Sequence, residues 1–389
     1  MNAKLVSVEV ASVAVSPKTS WVFARVTDAS GAHGFGEATL DGKQVEVAAM
    51  AMALGGTLVD RNLSAGGALS QLPRPQSLTQ AAAVSGLDQA LHDLIARHKQ
   101  CSVAALIGTE RRAQVPLYAN INRRTKDRSP AGFAAVAQRA VEAGFNAFKI
   151  APFDEVEQSG MNADSFIAAL DAGLARIAAV RQVVGPKSRL MVDCHWRFNE
   201  LGASAALNEC AQFNLHWLEC PVPEDEHMLP AIARLRKQAH LKGMLLAGGE
   251  NIIGLGGLTP FLEAGAYDVI MPDVKYVGGL ATMLRIGAAQ QRAEVAFAPH
   301  NPSGPVAHAA SLEVCAAAVA VDYLEIQFDE TPMFDGVLSQ QGRGLSRPTV
   351  TLSPQRHGLG VCVSPDLFNK DGSQVAAGAA ASIQHVAGF

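Results

Sequence analysis

The chain has 389 residues, 49% of them hydrophobic and 17% charged, with a formal net charge of −4. Such a composition describes a globular protein with a large core, long enough for two domains or for one large barrel with an addition. The small net charge and the lack of a basic stripe argue against nucleic acid and against a membrane surface as partners. Six cysteines (Cys101, Cys194, Cys210, Cys220, Cys315 and Cys362) form no CxxC pair, and several sit inside apolar runs, which predicts reduced thiols. Neither a charged-then-apolar leader nor a bilayer-length apolar stretch is visible, so the expected compartment is the cytoplasm.

Residues 5–15 alternate loosely and predict a strand; Val22 to Val26 predicts a second. The Ser30-Gly31 turn then leads into Gly34-Phe35-Gly36-Glu37, completing a small antiparallel meander. Lys18-Thr19-Ser20-Trp21 lies in its first loop, with Trp21 either an edge-of-core aromatic or a lid over a site. Residues 45–58 and 78–98 carry helical spacing, as in Ala81, Val84, Leu87, Leu91 and Leu94. The polar run Gly108 to Arg112 closes this α+β segment and sets a boundary near residue 113.

From Val115 onward strand and helix alternate eight times. Strands are expected to end at Ala119, Lys149, Asp193, Glu219, Gly249, Met271, Ala298 and Gln327. The helices between them are expected at about 131–143, 163–184, 203–213, 228–240, 258–264, 280–293 and 306–318. Eight such repeats predict an α/β fold of the (β/α)8, TIM-like barrel type over 114–353. In the tail, Gly358-Leu359-Gly360-Val361 reads as a further strand-like piece able to return to the first segment. The last dozen residues are compatible with helix or with irregular chain.

The chemistry gathers at the strand ends. Lys149, Asp193 with His195, Glu219, Glu250, Asp273, His300 and Glu325 follow one another roughly 23 to 44 residues apart, about one strand-plus-helix unit each. In register, they form a polar rim at the C-terminal mouth of a barrel. Taken singly, Asp193, Glu219 or Glu250 would ordinarily pair with a Lys or Arg or cap a helix. At three consecutive strand ends they would repel one another unless a cation neutralised them. An all-oxygen set without His or Cys points to a hard divalent ion, Mg2+ before Mn2+ or Ca2+.

The motifs Val192-Asp193, Leu218-Glu219 with Pro221, Gly249-Glu250-Asn251, Met271-Pro272-Asp273 before Gly278-Gly279, Pro299-His300 and Leu324-Glu325 occur in that order. In them, and over nearly the whole chain, the sequence resembles the enolase superfamily, in its mandelate racemase-like subgroup. The resemblance implies an α+β capping domain, built from residues 1–113 and a C-terminal return of about 354–389, over the barrel mouth. It also implies that Asp193, Glu219 and Glu250 bind one Mg2+ per subunit, which holds a small-molecule carboxylate substrate. Lys149 and Glu325 would flank that carboxylate, Glu325 donating a hydrogen bond if protonated. His300, supported by Asp273, would be the base, and the assembly a homo-oligomer, dimer or octamer. The physics agrees: removing a proton α to a carboxylate doubles its negative charge, which a cation held there offsets.

Two details narrow the reaction. Many family members end the second strand Lys-x-Lys, with the second Lys a base on the opposite face; here the run is Lys149-Ile150-Ala151, which counts against a racemase. Asp193-Cys194-His195 resembles galactonate-type sugar acid dehydratases, where this His is the acid that protonates the departing hydroxyl. Period-two alternation would aim Asp193 and His195 the same way if the strand persists that far; otherwise His195 merely supports the metal site. Trp196 and Arg197 line the polyol pocket or simply pack. The expected activity is Mg2+-dependent dehydration of a sugar acid, aldonate or aldarate, to a 2-keto-3-deoxy acid. Rival expectations are a racemase, epimerase or one-base isomerase of a 2-hydroxy acid, and a non-catalytic acid-sugar-binding protein.

Overall fold

The computed structural model describes residues 3–16, 19–64, 67–159, 162–339, 346–368 and 374–377. Alternating apolar residues at the start of the chain build β1 (Leu5–Ala14), β2 (Ser20–Asp28) and β3 (His33–Glu37), paired antiparallel in that order. Helices α1 (Gln44–Leu58) and α2 (Leu78–His98) follow, and a short α3 (Val103–Ile107) leads out. Leu5, Val8, Ala24 and Val26 of the sheet share one buried cluster with Leu87, Leu91 and Leu94 of α2. Glycine lets β3 lie directly on that helix: a Cβ at Gly36 would stand 1.9 Å from the Gly86 carbonyl oxygen.

The barrel strands are β4 (Gln114–Asn120), β5 (Ala147–Ile150), β6 (Arg189–Asp193), β7 (Trp217–Glu219), β8 (Leu245–Gly248), β9 (Val269–Ile270), β10 (Ala296–Phe297) and β11 (Leu324–Gln327). They pair in parallel from β4 to β10, and β11 returns to β4 with Glu325 opposite Tyr118. The remaining seam is stitched by two backbone bonds, Asp322 N–H to the Phe297 carbonyl and Glu325 N–H to the Pro299 carbonyl. The outer helices are α4 (Pro130–Glu142), α5 (Ala163–Val184), α6 (Glu200–Cys210), α7 (Leu229–Leu241), α8 (Gly254–Glu263), α9 (Leu280–Arg292) and α10 (Pro305–Ala317). A short α11 (Met333–Gly336) precedes β12 (Thr349–Thr351), which pairs antiparallel with β4, and β13 (Gln374–Ala377) pairs antiparallel with β1.

The expected barrel-with-cap architecture is present, with differences at element ends. The fifth, sixth and seventh strands stop one residue early, at Gly248, Ile270 and Phe297. Helix α6 starts at Glu200, three residues sooner than periodicity suggested, because the Asn199 side chain accepts the Gly202 N–H and caps it. Helix α8 starts at Gly254, four residues before the expected 258, and so takes in Gly254-Leu255-Gly256-Gly257. Gly358-Leu359-Gly360-Val361 is not a strand: Gly358 and Gly360 take φ of +64° and +73°, which no strand sustains. The segment nevertheless returns to the first unit, where Leu359 N–H bonds Asp93 Oδ1 (2.7 Å) and Arg97 Nη2 bonds the Val361 carbonyl (2.6 Å). Lys18 and residues 378–389 lie outside the described residues.

The cap docks through acids placed at barrel helix N-termini, where free N–H groups favour negative charge. Glu37 accepts the N–H groups of Gly304 (2.8 Å) and Ala307 (2.9 Å) at the start of α10, and Asp88 accepts that of Leu280 (2.7 Å) at the start of α9. In return Tyr276, from the loop after β9, inserts into the cap cluster of Val10, Val22, Ala38 and Val47. All six cysteines are free thiols, and among the described residues no helix is long and apolar enough to cross a membrane.

Candidate active site

Strand alternation sorts the barrel interior into two layers. The lower holds Tyr118, Ala147, Met191, Trp217, Val269, Met271 and Ala298. Two residues further along stand Asn120, Lys149, Asp193 and Glu219 on their strands and Asp273 and His300 just past theirs, all buried. Glu325 joins them from β11, two residues beyond Tyr323. Glu250 arrives one residue after Gly249, whose φ of +92° turns the chain at the end of β8. Asp273 and His300 lie beyond the ends of β9 and β10 yet form a parallel β-bridge with each other.

Asp193, Glu219 and Glu250 each present an oxygen, and these oxygens lie within 4.8 Å of one another. Burial, reinforced by the neighbouring carboxylates, pushes Glu250 well above the ordinary carboxylate range. Glu219 is raised to about 7 by burial, with Lys149 opposing and the other acids assisting. Burial also works against ionised Asp193, but His195 and Lys149 outweigh it and hold that group down to about 2. Glu250 Oε2 is buried without any hydrogen-bond partner. Three oxygen donors that cannot all stay ionised without positive charge, one of them orphaned, suit a hard divalent cation such as Mg2+.

Lys149 Nζ lies 2.6 Å from Glu219 Oε1 and 3.3 Å from Glu325 Oε1, so it bridges the triad to the eighth strand. Glu325 also accepts Asn120 Nδ2–H (2.6 Å) and the Asn301 N–H (3.0 Å). Burial alone would raise its pKa, yet Lys149, His300 and these donors together lower it. The carboxylate therefore stands as an ionised acceptor, and a donor role requires it first to take up a proton.

His300 Nδ1 is 2.9 Å from Asp273 Oδ2, and its Nε2 is 3.3 Å from Glu250 Oε2. An Nδ1–H donating to Asp273 leaves the Nε2 lone pair facing the carboxylate cluster. Burial lowers the His300 pKa, with Glu325 and Asp273 opposing, so the imidazole is held neutral and able to accept a proton. Asp273 is itself fixed from both sides, by Lys275 Nζ on Oδ2 (2.6 Å) and Lys275 N–H on Oδ1 (2.8 Å).

His195 also reaches the cluster, though not by strand alternation. β6 ends at Asp193, and His195 and Trp196 turn through left-handed conformations, φ +47° and +55°. Each such residue costs about 1–3 kcal/mol unless the surroundings hold it. The turn folds His195 Nε2 back to 2.8 Å from Asp193 Oδ2, and that neighbour raises the imidazole pKa. Trp196 Nε1 donates to Glu224 Oε2 (3.0 Å). Arg197 binds the carbonyls of Asp154 (2.8 Å) and Val156 (3.0 Å), fastening the loop after β5. Ala151 is buried, and its carbonyl accepts Arg128 Nη2–H (2.7 Å).

Trp21 is not brought to the cluster. It is 1% exposed and packs edge-on against Phe23 and Phe334, bordering a cavity of about 430 Å³ whose lining does not include Asp193, Glu219 or Glu250. Residues that sequence reasoning passed over complete the site: Asn120, Lys275, Asn301 and Glu224. Asn120 was signalled by alternation from Tyr118, one residue past the expected strand end. The other three carry no local signal, since each is recruited from a loop.

Comparison with known proteins agrees with this architecture. Residues 132–367 match the family model "Enolase C-terminal domain-like", and residues 2–108 match "Mandelate racemase / muconate lactonizing enzyme, N-terminal domain". A D-gluconate dehydratase of Thermoproteus tenax is 29% identical over 76% of this chain, a match spanning 57% of that relative's length. A D-galactonate dehydratase of Ralstonia pickettii is 29% identical, covering 76% of this chain and 75% of its own. A D-galactarolactone cycloisomerase of Agrobacterium fabrum is 31% identical, covering 74% and 73% respectively. Among solved structures, a mandelate racemase/muconate lactonizing enzyme-like protein from Rubrobacter xylanophilus superposes with a TM-score of 0.82 at 26% identity, over 94% of this chain and 97% of its own. With both family models matched in order along one chain, and the acids of the barrel rim gathered as described, this protein belongs to the enolase superfamily, in its mandelate racemase/muconate lactonizing enzyme branch.

Proposed function

We propose that the protein is a Mg2+-dependent sugar acid dehydratase, acting on an aldonate or aldarate. The observation that carries this reading is that two imidazoles border one carboxylate cluster, His300 beside Glu250 and His195 beside Asp193. Relatives named for D-gluconate and D-galactonate dehydration support the same class. Asp193, Glu219 and Glu250 would hold the ion, which when bound supplies positive charge against a substrate carboxylate.

Neutral His300 takes the proton α to that carboxylate on Nε2, while Asp273 holds Nδ1–H and stabilises the imidazolium that forms. Lys149, kept cationic between Glu219 and Glu325, stabilises the charge that gathers on the enediolate oxygens. His195, whose raised pKa keeps it protonated nearer neutrality, gives its proton to the β-hydroxyl as the C–O bond breaks. Water leaves, and the enol tautomerises to a 2-keto-3-deoxy acid. The floor of apolar side chains beneath keeps bulk water from these charges.

The test is direct. Protein with Mg2+ is incubated with a panel of aldonic and aldaric acids, and 2-keto acid is read as semicarbazone absorbance; a folded, Mg2+-loaded protein that turns over none of them refutes the reading. A second reading, a one-base isomerase or racemase through the same enediolate, is favoured by the cycloisomerase relative and by His195 as a second imidazole. It predicts solvent deuterium at the α carbon with no keto acid. Buried Ala151, where a second lysine base would stand, weighs against it.

A further inference from the structure

The turn that carries His195 is strained, and besides Asp193, which accepts the His195 N–H, it has an anchor outside the carboxylate cluster. His195 and Trp196 are consecutive left-handed residues without glycine's freedom, and Cys220, directly after the ligand Glu219, is a third at φ +44°. Their backbones are tied, because Trp196 N–H bonds the Cys220 carbonyl at 2.7 Å. On the side-chain side, Asp193 Oδ1 accepts the His195 N–H (2.9 Å) and Gln158 Nε2–H donates to the Trp196 carbonyl (2.8 Å), while a third group, Glu224, holds the indole. Glu224 Oε2 accepts the Trp196 indole N–H (3.0 Å), while Oε1 accepts the Gly249 N–H (2.5 Å) and the Tyr267 hydroxyl (2.8 Å). Gly249 is the left-handed residue just before the ligand Glu250. The indole anchor and the Cys220 carbonyl thus act together on the turn.

We propose that Glu224 is the positioning residue of His195: through the Trp196 indole it keeps the His195-Trp196 turn left-handed and the imidazole at the site. The chemistry demands a carboxylate. Three donors converge on Glu224, and only a group with acceptors at both oxygens satisfies them all. In Glu224→Gln the amide oxygen stays with Gly249 and Tyr267, and the amide N–H2 is left facing the indole N–H. Two donors then confront one another, and the indole is the partner free to move.

The test has a structural arm and a kinetic arm, of which the second rests on the dehydratase reading. In crystal structures of Mg2+-soaked wild type and E224Q, the substitution is expected to release Trp196 and His195 from the left-handed region, with Gly249 and Glu250 unmoved. In kinetics, E224Q and W196F are expected to slow keto acid formation by about 10–100-fold. Exchange of the α proton with solvent deuterium, which needs His300 and its supports but not His195, should persist. Tyr267→Phe removes a donor from the same carboxylate without freeing the indole, and is expected to leave kcat unchanged. An E224Q crystal with His195 and Trp196 in place overturns the proposal, as does equal loss of exchange and elimination in the variants. Should E224Q fail to fold, W196F decides on both arms. Should wild type dehydrate no acid, the functional reading falls while the crystal comparison still decides the positioning role.

Discussion

Two layers of the same barrel interior, two residues apart along the chain, have opposite characters. Met191 lies below Asp193, Trp217 below Glu219, Ala147 below Lys149 and Ala298 below His300. The lower layer closes by shape, with Tyr118 and Trp217 meeting edge-on at 5.8 Å between ring centroids. The upper is held by charge, with Lys149 between two carboxylates and Glu250 Oε2 left without a hydrogen bond. The lower layer makes the upper one possible. It keeps water out from beneath, so each charge above acts at low dielectric, and Trp217 Nε1 reaches up to fix Glu219 Oε2 at 2.9 Å. Stability is thus concentrated in one layer and reactivity in the other.

That division can be broken from either side. The largest effect is expected from removing the cation: chelation by EDTA should abolish turnover, and Mg2+ should restore it, as followed by keto acid formation. Next, His300→Asn should lower kcat by about 10²–10⁴-fold, the usual worth of a general base, with thermal stability nearly unchanged. The lower layer should behave in reverse. Met191→Ala should cost about 2–5 kcal/mol of stability, read by denaturant unfolding, while kcat per folded molecule changes little. A loss of activity as large as that of His300→Asn, without loss of stability, would erase the distinction between the layers.

The smallest effect sharpens the comparison through pH. Burial raises Glu219 to about 7 and Glu250 well above the usual range, so both take up protons more readily than ordinary carboxylates. Protons and Mg2+ therefore compete. Affinity should weaken as pH falls below about 7 and strengthen as it rises, with proton release on binding, measured by calorimetry in buffers of different ionisation enthalpy. Affinity flat between about pH 6 and pH 8 would mean that the upper layer is already ionised without the metal.

Much of this was legible in the chain. Apolar runs ending in ionisable residues identified the rim, because a strand carries its side chains with period two wherever it runs. Lys149, Asp193, Glu219 and Glu325 needed only that rule and their strand ends. His195 was legible as a residue but not as a geometry. Alternation would aim it with Asp193 only if the strand persisted that far; the strand stops at Asp193, and two left-handed residues bring the imidazole back instead. Trp21 illustrates the converse: a loop-adjacent aromatic that sequence leaves open as a lid is packed between Phe23 and Phe334.

The sequence by itself determined the order of strands and helices, the acids at their ends and the residues one step below them, because those depend on spacing along a single strand. Tertiary structure alone decided that His300 faces Glu250, that Lys275 and Asn301 brace the dyad and Glu325, that Glu37 joins cap to barrel, and that Glu224 reaches Trp196. Each of those contacts joins loops or distant elements whose positions follow from packing, and no local periodicity encodes where a loop side chain will find its partner.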